Sequence, residues 1–405
     1  MSILLLNAGS SSLKATLVEA STGAVVASGE GDWAGDQTRY HHAGADGAGR
    51  SEQVSWKGHA KAVERFVGDL TPAQRSGLTG VGHRVVHGGP FTSSVRITPE
   101  VRSRINELAE LAPLHNPPSL ETLAAAEDVL PDVPHVAVFD TAFHATLLPE
   151  AYTYPLPHQW TREWGIRRYG FHGMSHAYCA QRASELLRTS AEQLKTVICH
   201  LGHGCSASAV RNGVCIDTSM GFTPLDGLMM ATRSGSIDPS IVLHVQERHG
   251  LSTQQVETAL NRESGLLGVS GVSADMRDVL AAARGGNEQA QLALDIYAHR
   301  VRQVIGGFAV TMGGIDALVF TAGVGEHAVE VRASICVGLE CLGLELDAQA
   351  NAERRPDADI ATLDSHGRIL VIATREDVTM LREVLRVLGN DSSASQQQNR
   401  QGASE

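Results

Sequence analysis

The sequence predicts an α/β protein in two domains, and three observations predict it. The chain has 405 residues, more than one hydrophobic core ordinarily holds. Short apolar runs of strand length alternate with stretches whose apolar residues recur at helical spacing. One device also recurs: an apolar strand runs into a glycine-rich turn at residues 3–14, again at 196–208 and again at 317–327. With several phosphates to bind, one loop per phosphate cluster is a physical reason for the repetition.

The first copy, Leu4-Leu5-Leu6-Asn7-Ala8-Gly9-Ser10-Ser11-Ser12-Leu13-Lys14, reads as strand, polar turn and second strand. Such a turn offers N–H groups and hydroxyls to one point, and Lys14 adds charge beside it. That suits phosphate oxygens or their accompanying metal, although the same residues make ordinary hairpin turns. A polar, Gly-rich patch at 43–50 precedes a helix near 60–70. Val81-Gly82-His83-Arg84-Val85-Val86-His87-Gly88-Gly89 is a strand ended by glycines. Residues 98–111 show helix spacing, with Pro99 at the start. His135-Val136-Ala137-Val138-Phe139-Asp140 is a strand ending in an acid. The proline-rich stretch 148–157 reads as a crossing between domains. Strands follow near Thr196, Gly213 and Leu318, with helices near Ile241 and over 289–308 and 329–338. A late strand at 368–372 leads to a helix over about 377–387. Each half opens with a strand and a phosphate-type turn, which suggests an internal duplication. From Asp391 the chain is polar and aperiodic, the composition of a disordered tail.

The composition, 42% hydrophobic and 19% charged with net charge −12, is globular and acidic. No basic excess exists to neutralise a nucleic-acid backbone. No apolar run approaches the roughly 20 residues of a membrane span, and no basic region with an apolar segment and cleavage site opens the chain. The six cysteines form no Cys-x-x-Cys pair, so they read as reduced thiols of a cytoplasmic protein.

Arg84 precedes Gly88-Gly89, and Arg233 lies in the polar loop Thr232-Arg233-Ser234-Gly235-Ser236. Guanidinium forks suit carboxylate and phosphoryl oxygens, though an isolated arginine more often makes a structural ion pair. Asp140 at a strand end points toward the usual ligand crevice of an α/β sheet, or caps a helix. His172 and His176 have metal-ligand spacing if helical, but Gly170 and Gly173 argue for a loop, and a zinc site is discounted. No P-loop motif occurs. Gly323-Val324-Gly325-Glu326-His327-Ala328 with Glu345 fits a dinucleotide fingerprint, a reading that leaves the other glycine turns and both arginines without a task.

Seven segments, in order, carry a family resemblance: Asn7 to Lys14; Gly82 to Gly89; Ala112-Pro113-Leu114-His115-Asn116-Pro117-Pro118; Phe139-Asp140-Thr141-Ala142-Phe143-His144; Tyr169-Gly170-Phe171-His172-Gly173; Asp217 to Gly227; and Phe320 to Glu326. The chain resembles the acetate kinases of the acetate and sugar kinase/heat-shock 70/actin superfamily. The resemblance implies an α/β fold of two actin-like (ribonuclease H-like) domains with a cleft between them. It assigns 1–147 plus a C-terminal helix of about 377–390 to the first, 148–376 to the second, and 391–405 to a disordered tail. It implies reversible phosphoryl transfer between ATP and acetate with Mg²⁺ (or Mn²⁺), a homodimer, and no nucleic-acid or membrane partner.

By the same resemblance, Arg84 and Arg233 hold the carboxylate and the moving phosphoryl group. His172 stabilises the transition state and Asp140 is the acidic catalytic residue. Asn7 and Glu376 lie at the metal, and Lys14 lies near the nucleotide phosphates. His200, Leu201, Gly202, His203 and Gly204 line the nucleotide, with Asp275, Met276, Arg277, Gly323, Val324, Gly325, Glu326 and His327. Val86, Leu114, Phe171 and Pro224 form the pocket for the acyl methyl; each alone also reads as core packing. In-line transfer needs positioning and positive charge more than covalent chemistry, which this set supplies.

The chain departs from the family pattern at four places. His203 stands where the family's His-Leu-Gly-Asn-Gly has Asn, and His327 where Gly-Ile-Gly-Glu-Asn has Asn. Arg375 stands where Thr-Asn-Glu-Glu has Asn (with Asp377 for its last Glu), and Ser236 where Gly-Asp-Ile-Asp-Pro has Asp. Most of these lie on the nucleotide or metal side, so the donor is the open question and pyrophosphate its alternative. Propionate or butyrate as acceptor, and a non-catalytic ATP-binding module, are the competing readings. The module has no need of Arg84, Asp140, His172 and Arg233.

Overall fold

The computed structural model describes residues 1–111 and 116–401. It divides the chain into two units, Met1–Ala142 with Arg375–Glu405, and Phe143–Thr374. The chain therefore passes between units at 142/143 and 374/375, not at 147/148 and 376/377. The proline-rich stretch 148–157 lies wholly inside the second unit, and Glu376 belongs to the first.

The first unit is built on eight strands: β1 (Ser2–Ala8), β2 (Ser12–Glu19), β3 (Val25–Asp32), β4 (Thr38–Gly44), β5 (Gly49–Val54), β6 (Leu78–Val85), β7 (Val95–Arg96) and β8 (His135–Phe139). Their order is β5-β4-β3-β2-β1-β6-β8-β7. Alternation sends Leu4, Leu6 and Ala8 to one face of β1, where they pack with Leu13, Ala15 and Leu17. Helix His59–Asp69 presents Ala62, Val63, Phe66 and Val67 to that face, a stripe at helical spacing. Full burial of each such leucine or phenylalanine contributes about 1.5–3 kcal/mol. The patch at 43–50 is the turn of the β4–β5 hairpin.

The other face is covered by the C-terminal helix, Glu376–Gln401, which continues past the end expected near 390. Glycine sets how closely it lies. A Cβ on Gly80 would come 2.7 Å from Leu388, and one on Gly82 2.6 Å from Val384. Gly80, Gly82 and Arg84 share one face of β6, so the side chain missing at 82 brings the start of the helix, Glu376, to Arg84.

The second unit repeats the plan. β9 (Lys195–Leu201), β10 (Cys205–Arg211), β11 (Val214–Thr218), β12 (Ala317–Thr321), β13 (Ala358–Asp359) and β14 (Arg368–Val371) lie in the order β11-β10-β9-β12-β14-β13. Helix Gly173–Leu187 packs Cys179, Ala180 and Ala183 on Ile198, Val319 and Leu370. Helix Glu288–Met312 buries Tyr297, Val301, Ile305 and Phe308. In both units the first strand pairs antiparallel with the second, the second antiparallel with the third, and the first parallel with a later strand that continues to another. This shared connectivity is the duplication expected from the sequence. Among the described residues no helix is long and apolar enough to cross a membrane.

Candidate active site

Both units place their chemistry at the carboxyl ends of parallel strands, the general ligand position of open α/β sheets. In the first unit Asn7 is near the end of β1, Arg84 near the end of β6, and Asp140 directly follows β8 and opens the short turn Asp140–His144. Arg84 donates from Nη2 to Asp140 Oδ2 at 2.7 Å and from Nη1 to Asn7 Oδ1 at 3.1 Å. Glu376 Oε2 lies 3.8 Å from Nη1. Asp140 is 1% exposed and the Arg84 side chain 18%. Burial pushes Asp140 above the usual carboxylate range, against the pull of Arg84. Burial works against the Arg84 charge, but Asp140 and Glu376 outweigh it and the guanidinium holds its proton more firmly than usual.

The loop after β6 is pinned by groups that the residue patterns do not announce. Asn116, fully buried, accepts from the His87 N–H and donates to the His87 carbonyl, both at 3.1 Å. Thr141 Oγ1 accepts from the Gly88 N–H at 3.1 Å. Val86 is buried just before this clamp. Leu114 lies outside the described residues. Lys14 stands opposite Asn7 in the β1–β2 register, its ammonium 3.6 Å from Glu30. It belongs to the first unit, whereas the cavity described below is lined by residues of the second.

In the second unit, β9 and β10 form a hairpin whose turn is Gly202-His203-Gly204, while β12 runs into the short helix Ala322–His327. His172 occupies left-handed backbone (φ 57°) immediately before helix Gly173–Leu187. The helix begins at Gly173, so His176 lies in its first turn and not after a loop. His172 and His176 meet at Ser206 Oγ, 2.9 Å from His172 Nδ1 and 2.7 Å from His176 Nε2; their common partner is a hydroxyl. The His200 ring stacks on His172 with centroids 4.2 Å apart.

Gly204 gives way to the two groups of chemical interest. A Cβ there would lie 3.3 Å from His172 Nε2 and 3.7 Å from Arg233 Nη1. Arg233 donates weakly to the Pro224 carbonyl at 3.4 Å. Among the described residues no acid supports its charge, and burial lowers its proton affinity below the ordinary arginine value. His203, exposed at the turn, is held below the ordinary histidine value by the protein packed around it and by the Arg233 charge. Phe171 is buried, and its carbonyl accepts from His144 Nε2 at 3.0 Å.

Beside this turn the second unit holds a cavity of about 810 Å³. Gly202, His203, Asp275, Met276, Arg277, Gly323, Val324 and His327 line it, as the sequence suggested. Leu266, Ser273, Leu280, Arg284 and Glu330 line it too; no motif pointed to them, although Leu280 and Arg284 share a helix with Met276 and Arg277. His200, Leu201, Gly204 and Gly325 are not among the residues that line it. Glu326 turns away, its Oε1 accepting from the Thr374 N–H at 2.9 Å. Glu345 accepts from Thr362 outside the lining, which removes the acid that a dinucleotide reading required.

The acetokinase family model matches residues 2–382. This chain belongs to the acetokinase family. It is 46% identical over 396 residues to the acetate kinase of Thermoanaerobacterium thermosaccharolyticum, covering 96% of this chain and 99% of that one. Among solved structures it is similar to the Porphyromonas gingivalis acetate kinase, with 38% identity, TM-score 0.89, and 96% and 99% of the two chains covered. It is also similar to a propionate kinase from Francisella tularensis subsp. tularensis, with 37% identity, TM-score 0.90, and 95% and 99% covered. The two actin-like α/β domains expected from the sequence are thus those of the acetokinase fold, and the chain is a kinase that phosphorylates a carboxylate.

The family implies a divalent cation. Among the described residues no group of three or more His, Cys, Asp or Glu is arranged to hold one. Asn7 and Glu376 nevertheless supply the oxygen donors that Mg²⁺ prefers. This ion commonly takes one or two protein ligands and fills the rest with phosphate and water, so the donor chemistry fits.

Proposed function

We propose that the chain transfers the γ-phosphoryl group of ATP to acetate, reversibly, giving acetyl phosphate and ADP with Mg²⁺. The observation that carries this is Arg233: a half-buried guanidinium without an acid partner, beside the His172 imidazole, at the turn that lines an 810 Å³ cavity. A desolvated cation without a counter-ion is costly, and a phosphoryl group supplies the missing charge.

In this reading Arg84 presents its remaining Nη1 and Nη2 hydrogens to the acceptor carboxylate, with Asp140 fixing its orientation. Val86, buried in the first unit, is the residue this reading sets against the methyl. Arg233 and His172 address the phosphoryl group, and the second-unit cavity takes the nucleotide. Asn7 and Glu376 would hold Mg²⁺, which when bound neutralises phosphate charge. The cavity volume lies in the range for small-molecule sites and favours a nucleotide over pyrophosphate as donor. A homodimer in the cytoplasm completes the reading. Helix Ser240–His249 buries no side chain and leaves Leu243 60% exposed, which supports a partner surface, and the cysteines are free thiols.

A second acceptor, propionate, is favoured by the likeness to a propionate kinase structure. Hydroxamate trapping with acetate, propionate and butyrate, each against ATP, GTP and pyrophosphate, tests both. The reading predicts the highest kcat/KM for acetate with ATP; turnover with pyrophosphate alone would reject the donor.

A further inference from the structure

Two histidines in the second unit, His176 buried and His172 half-buried, share one hydroxyl, and their proton count is constrained. Ser206 is fully buried on β10 and its Oγ contacts His172 Nδ1 at 2.9 Å and His176 Nε2 at 2.7 Å. His176 is also fully buried, and its Nδ1 has no hydrogen-bond partner among the described residues. A serine hydroxyl has a single proton to donate, so it cannot donate to both rings.

The orphaned nitrogen decides the direction. Burial, with His144 and His200 nearby, keeps His176 neutral, so one ring nitrogen carries hydrogen. A proton on Nδ1 would leave an N–H buried without an acceptor, which proteins avoid more strictly than an unfilled lone pair. The proton therefore sits on Nε2 and is donated to Ser206. Ser206 Oγ has no third hydrogen-bond partner among the described residues, so the serine proton goes to His172 Nδ1 rather than being left without an acceptor. That leaves His172 with its proton on Nε2, the nitrogen that faces Gly204 beside Arg233.

We infer that Ser206 and His176 are positioning residues: a His176→Ser206→His172 chain of donation fixes His172 as the Nε2–H tautomer, so that it presents a donor to an anionic group held by Arg233. This rests on the reading that His172 addresses the phosphoryl group. Neither Ser206 nor His176 touches the reacting atoms. Their effect is on which nitrogen of His172 bears hydrogen, and a donor aimed at developing charge is worth having only if it is a donor before the charge arrives.

The test uses the full chain labelled with ¹⁵N-histidine. Long-range ¹H–¹⁵N spectra of the wild type near neutral pH should show His172 protonated on Nε2 and bare on Nδ1. In Ser206→Ala the two tautomers should mix. The kcat should fall about 10- to 100-fold, the range for partners that orient a functional histidine, with KM for acetate and ATP unchanged. His176→Gln keeps a side-chain N–H donor and should recover most of the kcat lost in His176→Phe. This pair carries the test should Ser206→Ala fold poorly. An Nδ1–H tautomer in the wild type, or Ser206→Ala with unaltered kcat, overturns the inference. Full turnover in His172→Ala would instead reject the phosphoryl role of His172, while the tautomer spectra, which need no turnover, judge the relay separately.

Discussion

The two arginines carry the same charge and are dressed in opposite ways. Arg84 is closed on itself: Asp140 takes its fork, Asn7 takes a further N–H, and Glu376 stands 3.8 Å away. Arg233 has a carbonyl and no acid. The first unit thus holds a satisfied ion pair whose geometry is fixed before any ligand arrives. The second holds a charge that awaits one. In the proposed reaction, orientation is the first unit's contribution and electrostatic attraction the second's.

The largest effect that could break this contrast is on turnover. Arg84→Ala and Arg233→Met should each lose about 10³- to 10⁵-fold in kcat, as when a cation on a transferring phosphoryl group is removed. Hydroxamate formation measures it, and near-wild-type rates in either variant would remove that residue from the site. ADP binding should separate the pair. The cavity is lined by second-unit residues, so titration calorimetry should find ADP affinity retained in Arg84→Ala.

Stability should then move in opposite directions. Removing Arg84 strands the carboxylate of Asp140, 1% exposed, and should cost about 3–5 kcal/mol. Arg233→Met removes a charge that nothing offsets, and its urea midpoint should hold or rise. A fall of similar size in both variants would erase the difference.

A smaller effect concerns acid. Burial pushes His144 down to about 4, against the Phe171 carbonyl that accepts from it. An unfolded histidine takes its proton near 6.5, so the stability His144 contributes is complete above that pH and is lost as pH falls through about 4. The loss amounts to roughly 3 kcal/mol. Urea midpoints from pH 7 to 4 should fall less steeply in His144→Gln; an unchanged slope would contradict the assignment. Smallest is Val86→Ala, which should raise propionate over acetate in kcat/KM by about tenfold, within the 1–3 kcal/mol a methylene is worth.

What the sequence made legible was local. β1, β8, β9 and β12 carry apolar runs; glycine turns follow β1, β9 and β12, and Asp140 follows β8. Arg84, Asp140, His172 and Arg233 stand within or beside motifs and could be named. The illegible parts depend on distance along the chain. Asn116 clamps His87 from 29 residues away, and Ser206 joins two histidines some thirty residues earlier. Thr38–Gly44 reads Thr-Arg-Tyr-His-His-Ala-Gly; its polar alternation hid a strand that buries only Thr38, Tyr40 and Ala43. Glu326 sits in a phosphate-type motif, yet its carboxylate serves the Thr374 backbone, a use that no spacing reveals.

The most direct measurement is ³¹P NMR of the wild type, Arg84→Ala and Arg233→Met with acetate, ATP and Mg²⁺. Wild type should convert the γ-phosphoryl resonance of ATP into acetyl phosphate with matching ADP, and both variants should leave ATP unchanged over the same period. Acetyl phosphate formed from pyrophosphate but not from ATP, or formed at the wild-type rate without either arginine, would contradict the account.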